Sequence, residues 1–483
     1  MVFSDLFFLF VFLPVFFVCY VTATLIDRRG KAPSDALPSC AVRNAVLVAF
    51  SLVFYAWGEP VYVFLMIASS VINYMAGMAI TRGGGRSKGA LVLGVGINIS
   101  ILLIFKYAGF IATQANNIGI ALPVPHIPLP IGISFYTFQS ISYLVDVYRG
   151  EARPQRRYVD LLLYISMFPQ LIAGPIVRYG LVAKSITRRV TTIDDVAEGV
   201  WRFTIGLGKK VIIANQLSEV SEGLLVTGFE NLSPAGAWIG IIAFTLQIYF
   251  DFSGYSDMAI GIGRCIGFKF NENFNHPYCC NSITDFWRRW HISLGSFFRD
   301  YVYIPLGGNR RHQMVNIFIV WMLTGAWHGA SWNFIIWGLY FGVIVAVEKY
   351  TLLRVVGTLP QVVLHIYTKL LIVVGWGIFY FEDMTQMGTF FRQLFFLDKS
   401  VWDVSLGLME REALTGKFWL WIAAIVFTMP VGSALVRLRS RCGGRASEAM
   451  TVTCRSIVSL VVLVLSVALL VGATNNAFIY TRF

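Results

Sequence analysis

Acidic side chains are scarce. Asp and Glu number 26 in 483 residues against 39 Lys and Arg, and the four types together make up 13% of a chain that is 57% hydrophobic. A soluble domain carries about a quarter charged residues, so that class is excluded and a polytopic membrane protein is indicated. No basic residue precedes the first apolar run, whereas Arg28, Arg29 and Lys31 follow it. A cleavable signal peptide has the reverse arrangement. Read as cytoplasmic, those charges place the N-terminus outside. The seven cysteines are odd in number and lack CxxC spacing, which argues against a disulfide framework or a zinc site. The adjacent Cys279 and Cys280 read as small apolar packing, with a reactive thiol as the alternative. No metal is expected, and no internal repeat, long linker or soluble domain is visible.

What the chain has in quantity is apolar runs. Stretches of spanning length, about 20 residues per crossing, fall near 3–26, 41–57, 61–80, 89–105, 129–148, 158–176, 235–252, 313–327, 331–347, 360–381, 418–436 and 456–474. They predict an all-α membrane protein of roughly ten to twelve helices. Basic turns such as "RGEARPQRR", "KSITRR" and "RLRSRCGGR" separate them, while "SEVSEGLLVTGFENLSP" and "EDMTQMG" are short of Lys and Arg and belong outside. This alternation accounts for the net charge of +13 better than nucleic-acid binding does. Three glycine patterns, at 83–85, 206–210 and 261–267, lie in or beside apolar helical segments rather than between a strand and a helix. They are no nucleotide loops, and Gly263 and Gly267 read as a helix-packing pair.

Charged and titratable residues cluster in one place, "TDFWRRWHISLGSFFRDYVYIPLGGNRR" at 284–311. Trp287, Trp290, Leu294, Phe297 and Tyr301 recur at helical spacing with Arg288, Arg289, Ser293, Ser296 and Arg299 elsewhere, so an amphipathic helix over 284–304 at the cytoplasmic interface is expected. His291 falls on its apolar face, as a packed histidine or a functional one. A second histidine stands in a costlier setting. From 313 to 347 there is no Asp, Glu, Lys or Arg, and "LTGAWHGASWNF" sits in the middle with His328. Basic residues flank both ends, and two helices of about fifteen residues rise only ~22 Å each against a core of ~30 Å. The turn is therefore expected within the membrane, where irregular backbone survives only if buried in protein or lining a wet cavity. An intramembrane histidine is a functional candidate. Out of water an imidazole stays neutral and can take a proton from a hydroxyl. With no Ser-His-Asp or Cys-His arrangement in view, direct acyl transfer to an incoming acceptor suits it.

At these residues the sequence resembles the membrane-bound O-acyltransferase (MBOAT) superfamily, and within it the bacterial alginate O-acetyltransferase branch. "FWRRWHISLGSFFRDYVYIPLGG" and "GAWHGASWNFIIWGLYFG" are similar to its two histidine motifs, and "LPIGISFYTFQSISYLVDVYRG", "FPQLIAGPIVRY", "DFSGYSDMAIGIGRCIGFKFNENFNHPY" and the ending "FIYTRF" extend the likeness over most of the chain. It departs from the pattern at His276, Cys279, Cys280 and Gly295. The resemblance implies one membrane domain over 1–483, a ring of helices around a thinned centre with a tunnel. It implies a catalytic role for His328 and for His291, with no bound cofactor and acetyl-CoA as donor. The donor's phosphates are expected at Arg288, Arg289 and Arg299, with Arg310 and Arg311 as further candidates or as lipid-headgroup contacts. Asp251, Tyr255 and Asp257 are expected to orient a histidine, with capping and packing as the alternative, and Trp287 and Trp327 to support the two histidines.

Coenzyme A is too polar to cross, so only the acyl group passes and its acceptor comes from outside. The run 456–474 crosses once after a basic segment, which puts 475–483 outside. That tail resembles the end of the small membrane peptide of teichoic-acid D-alanylation, so Tyr480 is either an acyl relay or a packed interfacial tyrosine. Partners implied are the lipid bilayer, periplasmic SGNH-type acetyltransferase proteins and an exopolysaccharide, alginate before cellulose or another glycan, at a bacterial inner membrane. D-alanyl transfer to teichoic acid is one alternative. A transporter or flippase is another, although paired broken helices in two halves are lacking.

Overall fold

In the computed structural model of the chain, residues 2–28, 40–172, 174–397, 406–432 and 445–473 are described. Every regular element among them is helical: α1 Phe8–Arg28, α2 Ala41–Gly58, α3 Tyr62–Ile80, α4 Lys88–Asn117, α5 Ile133–Arg149, α6 Tyr158–Ser166, α7 Tyr179–Thr187, α8 Ile193–Gly208, α9 Asn215–Glu222, α10 Pro234–Cys265, α11 Ile283–Arg289, α12 Ile292–Phe298, α13 Gln313–His328, α14 Trp332–Tyr350, α15 Gln361–Tyr380, α16 Met384–Leu394, α17 Phe418–Thr428 and α18 Arg445–Leu470. Eight described helices are long and apolar enough to cross a membrane: α1 to α4, α10, α14 with its extension to Arg354, α15 and α18 from Met450. The remaining expected spans are helical but short or broken. The run at 129–148 is the 17-residue α5, and that at 158–176 stops at Ser166, because Met167 turns extended before a four-residue helix Phe168–Leu171. The 16-residue α13 and the 11-residue α17 account for the other two.

The described chain forms two compact units. Of the described residues, the first takes in those from 2 to 203 and from 255 to 271, the second those from 204 to 254 and from 272 to 473, so α8 and α10 each run from one into the other. The first unit is held by aromatic packing, with the Phe168 ring centroid 5.1 Å from Phe16, 5.5 Å from Phe12 and 5.5 Å from Phe54. Gly199 and Gly261 bring α8 and α10 together there, since a Cβ on Gly261 would stand 2.6 Å from the Gly199 carbonyl oxygen. The packing role assigned to Gly263 and Gly267 is corrected accordingly. Gly263 faces the Phe270 ring, and Gly267 lies beyond the helix end at φ +85°, a turn conformation that glycine adopts without strain.

Of the eight spanning helices among the described residues α10 is the most enclosed, 78% of its apolar window being buried. "DFSGYSD" lies in its interior, so the capping role considered for those residues does not apply. Asp251 forms a buried ion pair with Lys210 at 2.7 Å. Within the first unit Asp257 pairs with Arg202 at 2.7 Å, and Tyr255 stacks on Phe3 at 4.4 Å. Helices α13 and α14 pack at van der Waals contact of backbone on backbone, the Cα of Gly325 lying 3.3 Å from where a Cβ of Gly338 would be. That closeness carries His328, the last residue of α13, to the head of its partner helix.

Candidate active site

The expected continuous helix over 284–304 breaks at His291. Helix α11 ends at Arg289, His291 adopts a left-handed conformation at φ +44°, and α12 starts at Ile292. A non-glycine residue there costs about 1–2 kcal/mol, and long-range bonds offset it. The Asn275 N–H donates to the Arg289 carbonyl at 2.9 Å and the Ile292 N–H to the Asn273 carbonyl at 2.9 Å. Residues 273–275 thus pull the chain out of the helix on both sides of His291. Beyond α12 a π-helical turn, Arg299–Tyr303, completes the segment.

The same contact fixes the ring of His291. Asn273 Oδ1 receives the Ser293 N–H at 3.2 Å and the Ser293 hydroxyl at 2.9 Å, and faces His291 Nδ1 at 3.1 Å. A backbone N–H only donates, so the Asn273 atom is the oxygen, and His291 must hold its proton on Nδ1. Nε2 is then the basic nitrogen. The hydrogen bond that orients His291 comes from Asn273, a residue the sequence reading did not single out. Its signal in the sequence is weak, since the two residues stand 18 apart.

Burial, at 2% exposure, pushes the His291 imidazole down to about 3. In the unfolded chain the group titrates near ~6.5, so between those values the unfolded state binds the extra proton. Stability from keeping His291 neutral is therefore complete above about pH 6.5 and lost as pH falls toward 3, at about 1.4 kcal/mol per pH unit. The thermal midpoint of the wild type is expected to fall more steeply between pH 6.5 and 4.5 than that of His291→Gln. Parallel curves would show that the imidazole does not titrate in this way.

His328 is 4% exposed, and aromatic rings surround it. Trp327 lies 4.8 Å away at 74°, Trp337 5.0 Å at 79° and Phe379 5.1 Å at 84° between centroids, all edge-on, with Phe334 stacked at 6.4 Å. Trp327 also meets His291 at 5.8 Å, so one indole touches both imidazoles. Trp287 packs on Trp337 at 5.3 Å and reaches His328 through it. Asn333, at the head of α14, donates to the Phe379 carbonyl at 3.1 Å and ties this ring box to the end of α15.

The two histidines line one cavity of about 580 Å³ within the second unit, with Trp287, Arg288 and Arg299 in the same wall. Arg288 and Arg299 are exposed, and Arg299 grips Asp300 with Nε at 2.6 Å and Nη2 at 3.1 Å, which raises its pKa. Arg289 is not part of this wall. It pairs with Asp285 one turn back at 3.0 Å, and its pKa is raised by that hydrogen bond. Arg310 and Arg311 are exposed and also stand apart from the cavity lining. Of the departures from the motif, Gly295 lines the cavity, where a side chain would find open space with only the Trp287 carbonyl at 3.8 Å. His276 Nδ1 and Cys279 Sγ instead meet at the Thr428 carbonyl, 3.2 and 3.7 Å away, and burial pushes the Cys280 thiol up to about 11. Tyr480 lies outside the described residues.

An all-α membrane protein with two buried imidazoles on one basic-rimmed cavity has the parts of an acyl-transfer site, and comparison with known proteins agrees. Residues 152–381 match the membrane-bound O-acyltransferase family. The chain is 41% identical over 437 residues, 88% of its length and 80% of the relative's, to the probable alginate O-acetylase AlgI of Pseudomonas syringae pv. tomato. The probable alginate O-acetylase AlgI of Pseudomonas putida is 41% identical over 440 residues, covering 88% of this chain and 85% of that one. The peptidoglycan O-acetyltransferase of Helicobacter pylori is 35% identical over 418 residues, 78% and 77% of the two chains. The chain belongs to the membrane-bound O-acyltransferase family, and it is a multi-pass membrane acyltransferase.

Proposed function

We propose that this protein takes an acetyl group from acetyl-CoA on the cytoplasmic side of the inner membrane and passes it outward for O-acetylation of an exopolysaccharide, alginate. The observation that carries the reading is the shared cavity, with His291 and His328 in its wall and Arg288 and Arg299 at its exposed edge. Guanidinium forks suit the phosphates of the donor, which leaves the thioester to run inward toward the imidazoles. His328 takes the proton of the acceptor hydroxyl as its oxygen attacks the thioester carbonyl. The tetrahedral adduct then expels the coenzyme A thiolate, which recovers the proton from the imidazolium. A new C–O bond replaces the C–S bond and no other reactant is consumed.

The pattern of basic loops supports both termini lying on the periplasmic side. The likeness of "FIYTRF" to an acyl-carrying peptide end supports Tyr480 as the first acceptor, handing the group to an SGNH-type periplasmic partner. The names of the relatives support alginate as the polymer.

The test is an acetyl-CoA assay on purified protein in nanodiscs. The double variant Arg288→Glu with Arg299→Glu is expected to raise KM for acetyl-CoA by about tenfold or more, and to change KM for acetyl-pantetheine, which has no phosphate, by less than about twofold. An unchanged KM for acetyl-CoA would remove both arginines from the donor site. Wild-type protein that transfers no acetyl group from either thioester would end the functional reading itself.

A further inference from the structure

We infer that Glu348 is a positioning residue of the acyltransferase, a carboxylate that fixes the segment leading to His291 onto the helix pair that carries His328. Glu348 lies on α14 and is fully buried, at 0% exposure. Its Oε1 accepts the Ile283 N–H at 2.6 Å, and its Oε2 accepts the Thr284 N–H and the Thr284 hydroxyl, both at 2.7 Å. The Tyr367 hydroxyl adds a longer bond to Oε1 at 3.3 Å. Ile283 and Thr284 are the first two residues of α11, so a buried negative charge sits on the positive end of that helix, where its free amides point.

The seven-residue α11 is too short to persist without tertiary support. Its third amide, of Asp285, is met by the Ser282 hydroxyl at 3.0 Å, and its far end is held where the Arg289 carbonyl accepts from Asn275. Glu348 therefore supplies one of the two anchors of a short rod that ends at His291. Its own helix packs on α13, whose last residue is His328. The carboxylate thus joins the carriers of the two imidazoles, and Thr284 and Val345 beside it both face the cavity. A glutamine does not replace it, because an amide offers one acceptor atom and turns its NH2 toward backbone N–H groups that need acceptors.

Two measurements test this, and only the second rests on the acyl-transfer reading. In hydrogen–deuterium exchange, a peptide covering residues 283–290 is expected to exchange at least about tenfold faster in Glu348→Gln than in the wild type. Tyr367→Phe, which leaves both amide bonds in place, is expected to stay within about twofold. Unchanged exchange in Glu348→Gln would overturn the clamp even if the protein proved inactive. In the acetyl-CoA assay, kcat per folded molecule is expected to fall about tenfold or more in Glu348→Gln and to remain within about twofold in Tyr367→Phe. A lower yield of folded Glu348→Gln with wild-type kcat and KM would reduce Glu348 to a structural residue and sink the positioning role. Loss of activity from the wild type itself would instead count against acyl transfer and leave the exchange result standing.

Discussion

His328→Ala is expected to lose acetyl transfer by about 10²–10⁴-fold, the range for removal of a general base, with KM for acetyl-CoA changed little. The imidazole touches Trp327, Trp337 and Phe379 edge-on, so alanine also leaves a void that these rings can collapse into. His328→Gln, which fills more of the space without a basic nitrogen, separates the two effects and is expected to be as inactive. Mass spectrometry supplies a second readout, since acetylated Tyr480 is expected in the wild type and absent from both variants. Transfer within about threefold of wild type by His328→Gln would remove the general-base assignment. Full polymer acetylation by Tyr480→Phe would remove the relay while leaving His328 in place.

Gly338→Ala is expected to be damaging as well, for a steric reason. A Cβ at this position would stand 2.5 Å from the Trp321 carbonyl oxygen, and one on Gly325 2.3 Å from the Phe334 carbonyl oxygen. Backbone oxygens of two packed helices cannot swing aside as a flexible side chain can, so α13 and α14 must separate. Overpacking of this kind costs about 1–3 kcal/mol. The displacement would also carry Trp337 and His328 apart, so activity per folded molecule is expected to fall together with the thermal midpoint. Gly96→Ala, inside α4, serves as the control, because nothing lies within 4 Å of where its Cβ would be. A Gly338→Ala protein equal to wild type in midpoint and kcat would show that the helix contact is slack.

Much of this was readable in the sequence where the signal is local. Apolar runs gave the principal helices, and the charge-free stretch around "GAWHGASWNF" led to His328 and to the pair α13 and α14. The helical stripe through Trp287, Trp290 and Leu294 brought His291, Arg288 and Arg299 into one group, and all three line the cavity. The same stripe hid the break at His291. Its 3.6-residue rhythm runs through that position unbroken, and only the chain at 273–275 turns it aside. The ion pairs of Asp251 with Lys210 and of Asp257 with Arg202 left no local signal, because the partners lie far off in sequence, Arg202 by 55 residues. Glu348 gave no sign either, for it sits 65 residues from the amides it holds. Helix α14 also outgrew its expected end by continuing through Glu348 to Tyr350.

The hydrogen bond between His291 Nδ1 and Asn273 Oδ1 bears on how protons can move at the site. Grotthuss conduction through an imidazole requires a proton to arrive on one ring nitrogen and depart from the other. Asn273 Oδ1 is an amide oxygen, which accepts and has no proton to pass on, and the Ser293 hydroxyl, 3.4 Å from Nδ1, gives its own proton to that same oxygen. His291 can borrow a proton at Nε2 and must return it there. For protons the ring is a cul-de-sac.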